Sequence, residues 1–390
     1  ELNKIGVWVR RRVAVGDVYD EIWNALDEES KESDTIIITG GLGPTADDIT
    51  KPLLCNYFGG KLVMNEEVLA HVKYLFEKIY RRPGPILERN LKQAEVPDVC
   101  TVLHNARGTA PGMLFHKDRR VFISLPGVPH EMKGLVTSEV IPRLLNEFRM
   151  PAIVHRTVFT AGQGESVIAE LLKDFEPALP EHIKLAYLPN YGMVKLRLTA
   201  KGNSKAEVET EMQPYFEKLQ DLVKEYLVTN EDEGLEIVVG KLLKAKNKTM
   251  GTAESCTGGY IAHLITSVAG SSAYYKGSVV SYDNTVKENL LGVQHEILMS
   301  AGAVSKETVI QMANGAVQTL KVDYALATSG IMGPGGGSED KPVGTVWIAV
   351  ASKEKTETLK LNLRFDRQRN IAMTAANALN LLRKFISSEA

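Results

Sequence analysis

The chain has little of what would mark a secreted, metal-clustered or membrane-bound protein. Three cysteines, Cys55, Cys100 and Cys256, are spread over 390 residues. They are odd in number and none stands in CxxC spacing, which argues against a disulfide framework and leaves reduced thiols of a cytosolic, cytoplasmic protein as the expectation. The formal net charge is only -2, so the chain as a whole carries no electrostatic footprint for nucleic acid or an anionic membrane. No apolar run nears the roughly 18 residues that span a bilayer, and no signal peptide is read. Internal repeats and low-complexity segments are missing too. What remains is a globular composition, 44% hydrophobic and 24% charged, at a length that favours two or three domains.

Three blocks follow along the sequence. "ELNKIGVWVRRRVAVGDVYDEIWNAL" reads as the tail of a helix, a strand of apolar and basic residues, and a second helix. An α/β domain would place a buried strand ahead of these, and the expectation is that this strand is absent from the chain. "TIIITGG" (35–41) is a short apolar run ending in glycines, as in a strand buried on both faces. The loop "GLGPTADDIT" and the helix "KPLLCNYFG" come next. "RRVFISLPGVPHEMKGLV" repeats the plan, and strand–turn–helix twice over predicts a doubly wound α/β sheet with its site at the strand C-termini. This block is assigned to residues 1–150. Residues 151–229 read as strand, helix, strand, strand, helix, a small α+β domain, with "VTNEDEG" as a charged linker. A third α/β block, 235–390, has strands at 249–253, 278–281, 324–328 and 343–351 and ends in a long apolar helix.

"MGTAESCTGG" (250–259) carries the first chemical signal. Ile261, Leu264, Ile265 and Val268 fall on one helical stripe, so Ser255 lies in a strand-to-helix turn. Free backbone N–H groups there would favour a phosphate or the oxyanion formed at an attacked carbonyl. A nucleophilic serine needs a base. Ala253 and Thr257 rule out a GxSxG elbow, and the spacing of His263 turns it elsewhere. In "GSVVSYDNTVKENLLGV", Tyr282 at a strand end and Lys287 in the first turn of the next helix could face one cleft, with a desolvated Lys287 as base. Taken singly, each has a plainer reading: Ser255 an N-cap, Cys256 a small buried residue, Lys287 a solvated lysine. "ATSGIMGPGGGSEDKPVGTVWIAV" adds a glycine-rich loop suited to close ligand approach, or a flexible turn. "FDRQRN" puts Arg367 and Arg369 at the start of the last helix, where a guanidinium could hold a phosphate.

"AESCTGG", "SYDNTVKENLLGV" and "SGIMGPGGGSEDKPVGTVWIA" together resemble the signature segments of the CinA C-terminal family, the nicotinamide mononucleotide deamidases. The resemblance covers roughly 235–390. It implies Ser255 as nucleophile, Tyr282 and Lys287 as its assistants, and substrate contacts from Thr257, Gly258, Gly259, Thr328 or Ser329, Gly335 and Arg369. No cofactor is implied for this domain.

"TGGLGPTADDIT" offers glycines for close approach and two adjacent carboxylates, Asp47 and Asp48. These suit a divalent cation bridging to a pyrophosphate, or plain helix capping. No GK[ST] follows, so this is not a Walker A loop. With "ERNLKQAEVPDVCTVLHNARGTAPGM" and "LPGVPHEM" it resembles the molybdopterin-binding-like domain at the front of CinA proteins. That resemblance implies a metal-dependent pyrophosphatase for ADP-ribose. Asp48 with Asp47 would hold the metal, and Gly41, Gly43, Thr45, Asn105, Gly108, Thr109, Pro126, Gly127 and Glu131 would surround the nucleotide. The family pattern opens with a strand and a GDE-containing turn, and this chain starts after them. The resulting expectation is a bifunctional pyridine-nucleotide salvage hydrolase, a homodimer acting on small nucleotides. The rival is a nucleotide- or pterin-binding partner protein in DNA uptake or repair.

Overall fold

A computed structural model describes residues 1–389 apart from positions 46 and 82. The chain divides into two compact units, Glu1–Ile153 with Gly202–Lys205, and the remainder from Val154 onward.

The first unit begins with a short 3-10 turn, Leu2–Ile5, closed by left-handed Gly6. The strand expected after it does not form. Residues 7–16 have no ladder partner, and Val9, Val13 and Val15 are exposed. A lone extended segment cannot satisfy its backbone by strand pairing; Arg11 instead pairs with Glu29 of the following helix and Arg10 with Glu32 just beyond its end. That helix is α1 (Tyr19–Ser30), and β1 (Thr35–Thr39), α2 (Thr50–Tyr57), β2 (Leu62–Met64), α3 (Glu66–Tyr74) and α4 (Glu88–Leu91) follow. Then come β3 (Glu95–Pro97), β4 (Thr101–Leu103), β5 (Gly112–Lys117), β6 (Arg120–Leu125), α5 (Pro129–Leu135) and α6 (Ile141–Glu147). The main sheet has the order β1-β6-β5-β4. Only β1 and β6 run parallel; β5 and β4 are antiparallel. The sheet is therefore mixed rather than wholly parallel. Alternation along β5 and β6 feeds a core on each face. Phe115 and Phe122 join Leu26, Leu53 and Leu54, while Leu114, Ile123 and Leu125 join Leu135 and Leu144.

In the second unit, β7 (Ala152–Ala161), α7 (Glu165–Leu171), β8 (Ile183–Asn190), β9 (Met193–Gly202) and α8 (Lys205–Leu222) reproduce the expected strand and helix order. An additional strand, β10 (Leu227–Thr229), pairs with β7. The charged segment after it is tied down rather than free. Asp232 bridges Lys195 and Arg197, and Glu233 pairs with Lys241. The middle domain is also not separate from the last: Phe159 belongs to the C-terminal core, with Met193 and Val228 packed against it.

The last domain comprises α9 (Leu235–Ala245), β11 (Met250–Glu254), α10 (Tyr260–Thr266), β12 (Tyr275–Val280), α11 (Asn284–Leu291) and α12 (His295–Ser300). Next are α13 (Lys306–Leu320), β13 (Tyr324–Gly330), β14 (Thr345–Ala351), β15 (Thr356–Asn362) and α14 (Arg367–Ser388). Its sheet order is β12-β11-β13-β14-β15, parallel across the first three strands and antiparallel beyond. Met250 and Leu326 face α9, α10 and α14, while Ala253, Ala325 and Ala327 face α11 and α13. The parallel strands β11, β12 and β13 end at one edge, and every chemical segment singled out in the last domain leaves from it. No helix among the described residues is long and apolar enough to cross a membrane.

Candidate active site

β11 lies between β12 and β13, its Glu254 opposite Val280 and Thr328. Ser255 is the first residue past it, held by its own N–H donating to Thr328 O at 3.0 Å. The chain then reverses into α10 through Gly258 (φ 60°) and Gly259 (φ 96°), left-handed positions that favour glycine. Gly258 N–H donates back to Ser255 O at 3.2 Å. Ser255 is largely buried.

The anion site expected at the start of α10 is already taken from within. Glu254, fully buried, accepts from the N–H groups of Gly259 (3.1 Å), Ile261 (3.0 Å) and Ala262 (2.8 Å). Its carboxylate also accepts from the hydroxyls of Thr257 (2.8 Å) and Thr252 (3.2 Å). The donors that a substrate phosphate would have used are spent on this carboxylate. By contrast, the N–H groups of Cys256 and Thr257 donate to no backbone carbonyl among the described residues.

Lys287 is fully buried, and its Nζ donates to the carbonyls of Ser281 (2.8 Å) and Tyr282 (3.2 Å). Burial pushes its pKa below the ordinary 10.5, against weaker opposition from Asp283 and Cys256. Asp283 caps α11 by accepting from Thr285 N–H. The Cys256 thiol is buried in the apolar core and burial pushes it up to about 12, so it stays protonated near neutrality. His263 is exposed on α10, and His295 pairs with Glu288 at the surface.

Tyr282 stands two residues past β12, ring exposed, its hydroxyl accepting from Arg367 at 3.1 Å. Arg367 also donates to Gly333 O at 2.8 Å, joining the tyrosine segment, the glycine-rich loop and α14. Arg369 instead lies over the Phe365 ring at 4.0 Å. Thr328 shares a 2.8 Å hydroxyl contact with Thr257, while the Ser329 hydroxyl donates to Ala303 O at 2.7 Å. Gly335 lies in open space. Both arginines are candidates in the sequence, whereas Glu254 is not. The available signal was a carboxylate closing an apolar strand just before a glycine turn.

In the first unit the loops after β1 and β6 adjoin: Gly40 N–H donates to Leu125 O at 3.0 Å, and Gly127 packs on Gly40. Gly41, Gly43, Thr45, Pro126 and Gly127 therefore share one sheet end. Asp48 Oδ2 accepts from the Thr45 N–H (2.9 Å) and hydroxyl. Burial raises its pKa, yet these bonds outweigh it and hold the carboxyl below the ordinary range. Neither aspartate caps α2, whose N-cap is Ile49; Asp47 is exposed. Asn105, buried, donates to Glu131 (2.7 Å) and to Ala110 O (2.8 Å). Gly108 is pressed onto that glutamate, since a Cβ there would fall 2.1 Å from Oε2. Thr109 is half-buried in the same loop. Lys51, unforeseen, is buried with Nζ on Gln93 O at 3.1 Å, near enough to Asp48 to feel its charge. No group of three or more His, Cys, Asp or Glu side chains suited to a metal occurs among the described residues. Asp48 and the exposed Asp47 are two adjacent carboxylates at this loop, too few for an all-protein cage.

Family comparisons match three successive stretches of the chain. Residues 232–386 match the family described as CinA C-terminal domain, 1–146 the probable molybdopterin binding domain, and 155–229 the damage-inducible protein CinA KH domain. A CinA-like protein of Cytophaga hutchinsonii is 49% identical over 384 residues, 98% of this chain and 91% of that one. A CinA-like protein of Flavobacterium psychrophilum is 45% identical, covering 99% of this chain and 92% of its own.

Proposed function

Because the chain belongs to the CinA family, sharing nearly its whole length with such relatives, we propose that its last domain hydrolyses the carboxamide of nicotinamide mononucleotide through an acyl-enzyme on Ser255. The observation that carries this is Lys287, a buried amine beneath the turn that follows β12, with two backbone carbonyls to hold its hydrogens. In the reaction Lys287 takes the Ser255 hydroxyl proton as Oγ attacks the carboxamide carbon. The Cys256 and Thr257 N–H groups receive the oxyanion. The proton passes to the leaving nitrogen, ammonia departs, and water releases nicotinate mononucleotide. On this reading Arg367, which bonds the Tyr282 hydroxyl, meets the nucleotide together with Tyr282.

The front domain, on this reading, cleaves ADP-ribose at its pyrophosphate. Asp48, with Asp47, would hold a divalent cation, which when bound neutralises phosphate charge. The joined glycine loops and the Asn105–Glu131 pair would orient the nucleotide. A pure binding protein is the competing reading. One experiment on the full chain tests both halves: ammonia release from nicotinamide mononucleotide by wild type and Ser255→Ala, beside ADP-ribose cleavage with and without EDTA. Ser255→Ala is expected to lose roughly 10³-fold or more of its deamidation while keeping its fold. Near-wild-type ammonia release from folded Ser255→Ala would overturn the acyl-enzyme, and no turnover in either assay would favour the binding protein.

A further inference from the structure

Glu254 has a role that its neighbour's chemistry hides, and we infer that it is the positioning residue that sets Ser255 for attack. This rests on the reading of Ser255 as nucleophile. The geometry is that of a clamp. Backbone pairing on both sides fixes Glu254 at the end of a central strand, and Ser255 is the next residue. Within five residues the chain must turn back and start α10, through two glycines that impose no conformation of their own. Something else has to choose one conformation of that turn.

The carboxylate does so by gathering donors from both ends of it. Thr257 and Gly259 bind it from within the turn, Ile261 and Ala262 from the first turn of the helix, and Thr252 from the strand. With no exposure to water, these bonds meet no solvent competition. The positive end of α10 adds to them. Thr257 extends the clamp, since its hydroxyl also touches Thr328 Oγ1 at 2.8 Å, and Thr328 O holds Ser255 N–H. The same bonds fix the peptide planes of Cys256 and Thr257, whose N–H groups face the developing oxyanion in the proposed reaction. Glu254 touches no substrate in this arrangement; it acts through the residues that do.

Glu254→Gln keeps the volume but places an amide nitrogen where backbone N–H groups need an acceptor, so the turn loses part of its clamp. A misplacement on the ångström scale at a nucleophile costs up to about a hundredfold in rate. For the full-length protein we expect kcat for deamidation to fall at least about tenfold while KM changes less than about threefold. Covalent labelling of Ser255 by a fluorophosphonate should slow in parallel, and amide exchange at Gly259, Ile261 and Ala262 should quicken. Failure of wild type to label at Ser255 would overturn the nucleophile itself and this role with it. Wild type that labels and deamidates, beside folded Glu254→Gln with unchanged labelling and kcat, would overturn the positioning role alone. So would a variant that only melts earlier and reacts normally below its transition. Should Glu254→Gln not fold, Thr257→Val removes one donor from the carboxylate and carries the same readouts, with a smaller loss of labelling rate expected and no loss overturning the role.

Discussion

A neutral amine has two hydrogens to give and one lone pair to use, and Lys287 Nζ has two carbonyls within reach. That match lets the deprotonated lysine keep both bonds and aim its lone pair away from them. Burial favours the same form, by holding the pKa below 10.5. The sign for activity follows. A base must be neutral, Lys287 is neutral above its pKa, and so kcat/KM for deamidation should climb with pH through an apparent pKa below the ordinary lysine range. Lys287→Met should lower kcat on the order of 10²–10⁴-fold and remove that rising limb, as measured by ammonia release across pH 6 to 10 (roughly the span that brackets a lowered lysine). A loss under tenfold, or a limb that persists, would reduce Lys287 to a substrate-positioning role. Lysine and serine are both singled out in the sequence because their motifs name them. Glu254 is not, since a carboxylate in a strand reads as solvent-facing until the helix returns over it. One-dimensional spacing likewise does not say that Arg367 reaches Tyr282 and Gly333 while Arg369 lies over Phe365.

The elements that carry these residues are held by backbone packing as much as by side chains. α11, which presents Lys287, is braced by α13 at Gly315. A Cβ on that glycine would lie 1.8 Å from Leu291 O, a main-chain atom that cannot swing aside. Gly315→Ala should therefore push α11 away and cost roughly 1–3 kcal/mol as overpacking does. It should also lower kcat well below wild type, since Lys287 moves with its helix. Thermal unfolding and kcat measured on the same preparation check this, and full activity with an unchanged melting temperature would show that α11 tolerates the shift. α13 was not read from the sequence, and neither was β15. β15 is half-buried at the sheet edge, where "TETLKLN" carries five polar residues and only two apolar ones, Leu359 and Leu361. The opposite error came at residues 7–16, where apolar content suggested a strand but no partner stands beside it. Strand propensity is realised only against a neighbour. The apolar runs at β1 and β6 were legible for the converse reason: both strands feed a core on each face, and unbroken isoleucine, valine and phenylalanine mark them.

At the scale of the whole molecule, three sequence blocks became two compact units, because the middle domain lends part of its own surface to the last domain's core. Phe159 in β7 is 2% exposed among residues of α9, α14 and the central sheet. Near it the two domains meet around a cavity of about 270 Å³, with Leu188, Tyr191 and Met193 on one side and Tyr260, Leu264 and Leu379 on the other. Tyr260 and Leu264 belong to α10, the helix that Glu254 ties to the Ser255 turn. Composition could not reveal this sharing, since a charged segment such as "VTNEDEG" reads as a linker whether or not Asp232 and Glu233 find partners. Two variants separate the possibilities. Phe216→Ala opens the middle domain's own core, where Phe216 is 1% exposed, and Phe159→Ala opens the shared one. Either truncation removes a buried aromatic and should cost about 3–5 kcal/mol. If the middle and last domains unfold as one unit, both variants lower the temperature at which heated protein loses ammonia release, Phe159→Ala at least as much as Phe216→Ala. If they are independent, Phe216→Ala melts the middle domain early, seen as a separate calorimetric transition, while deamidation survives to the wild-type temperature. The shared core predicts the first result, with one transition for both domains, because Phe159 and Met193 of the middle domain's strands would otherwise lose the core they pack in.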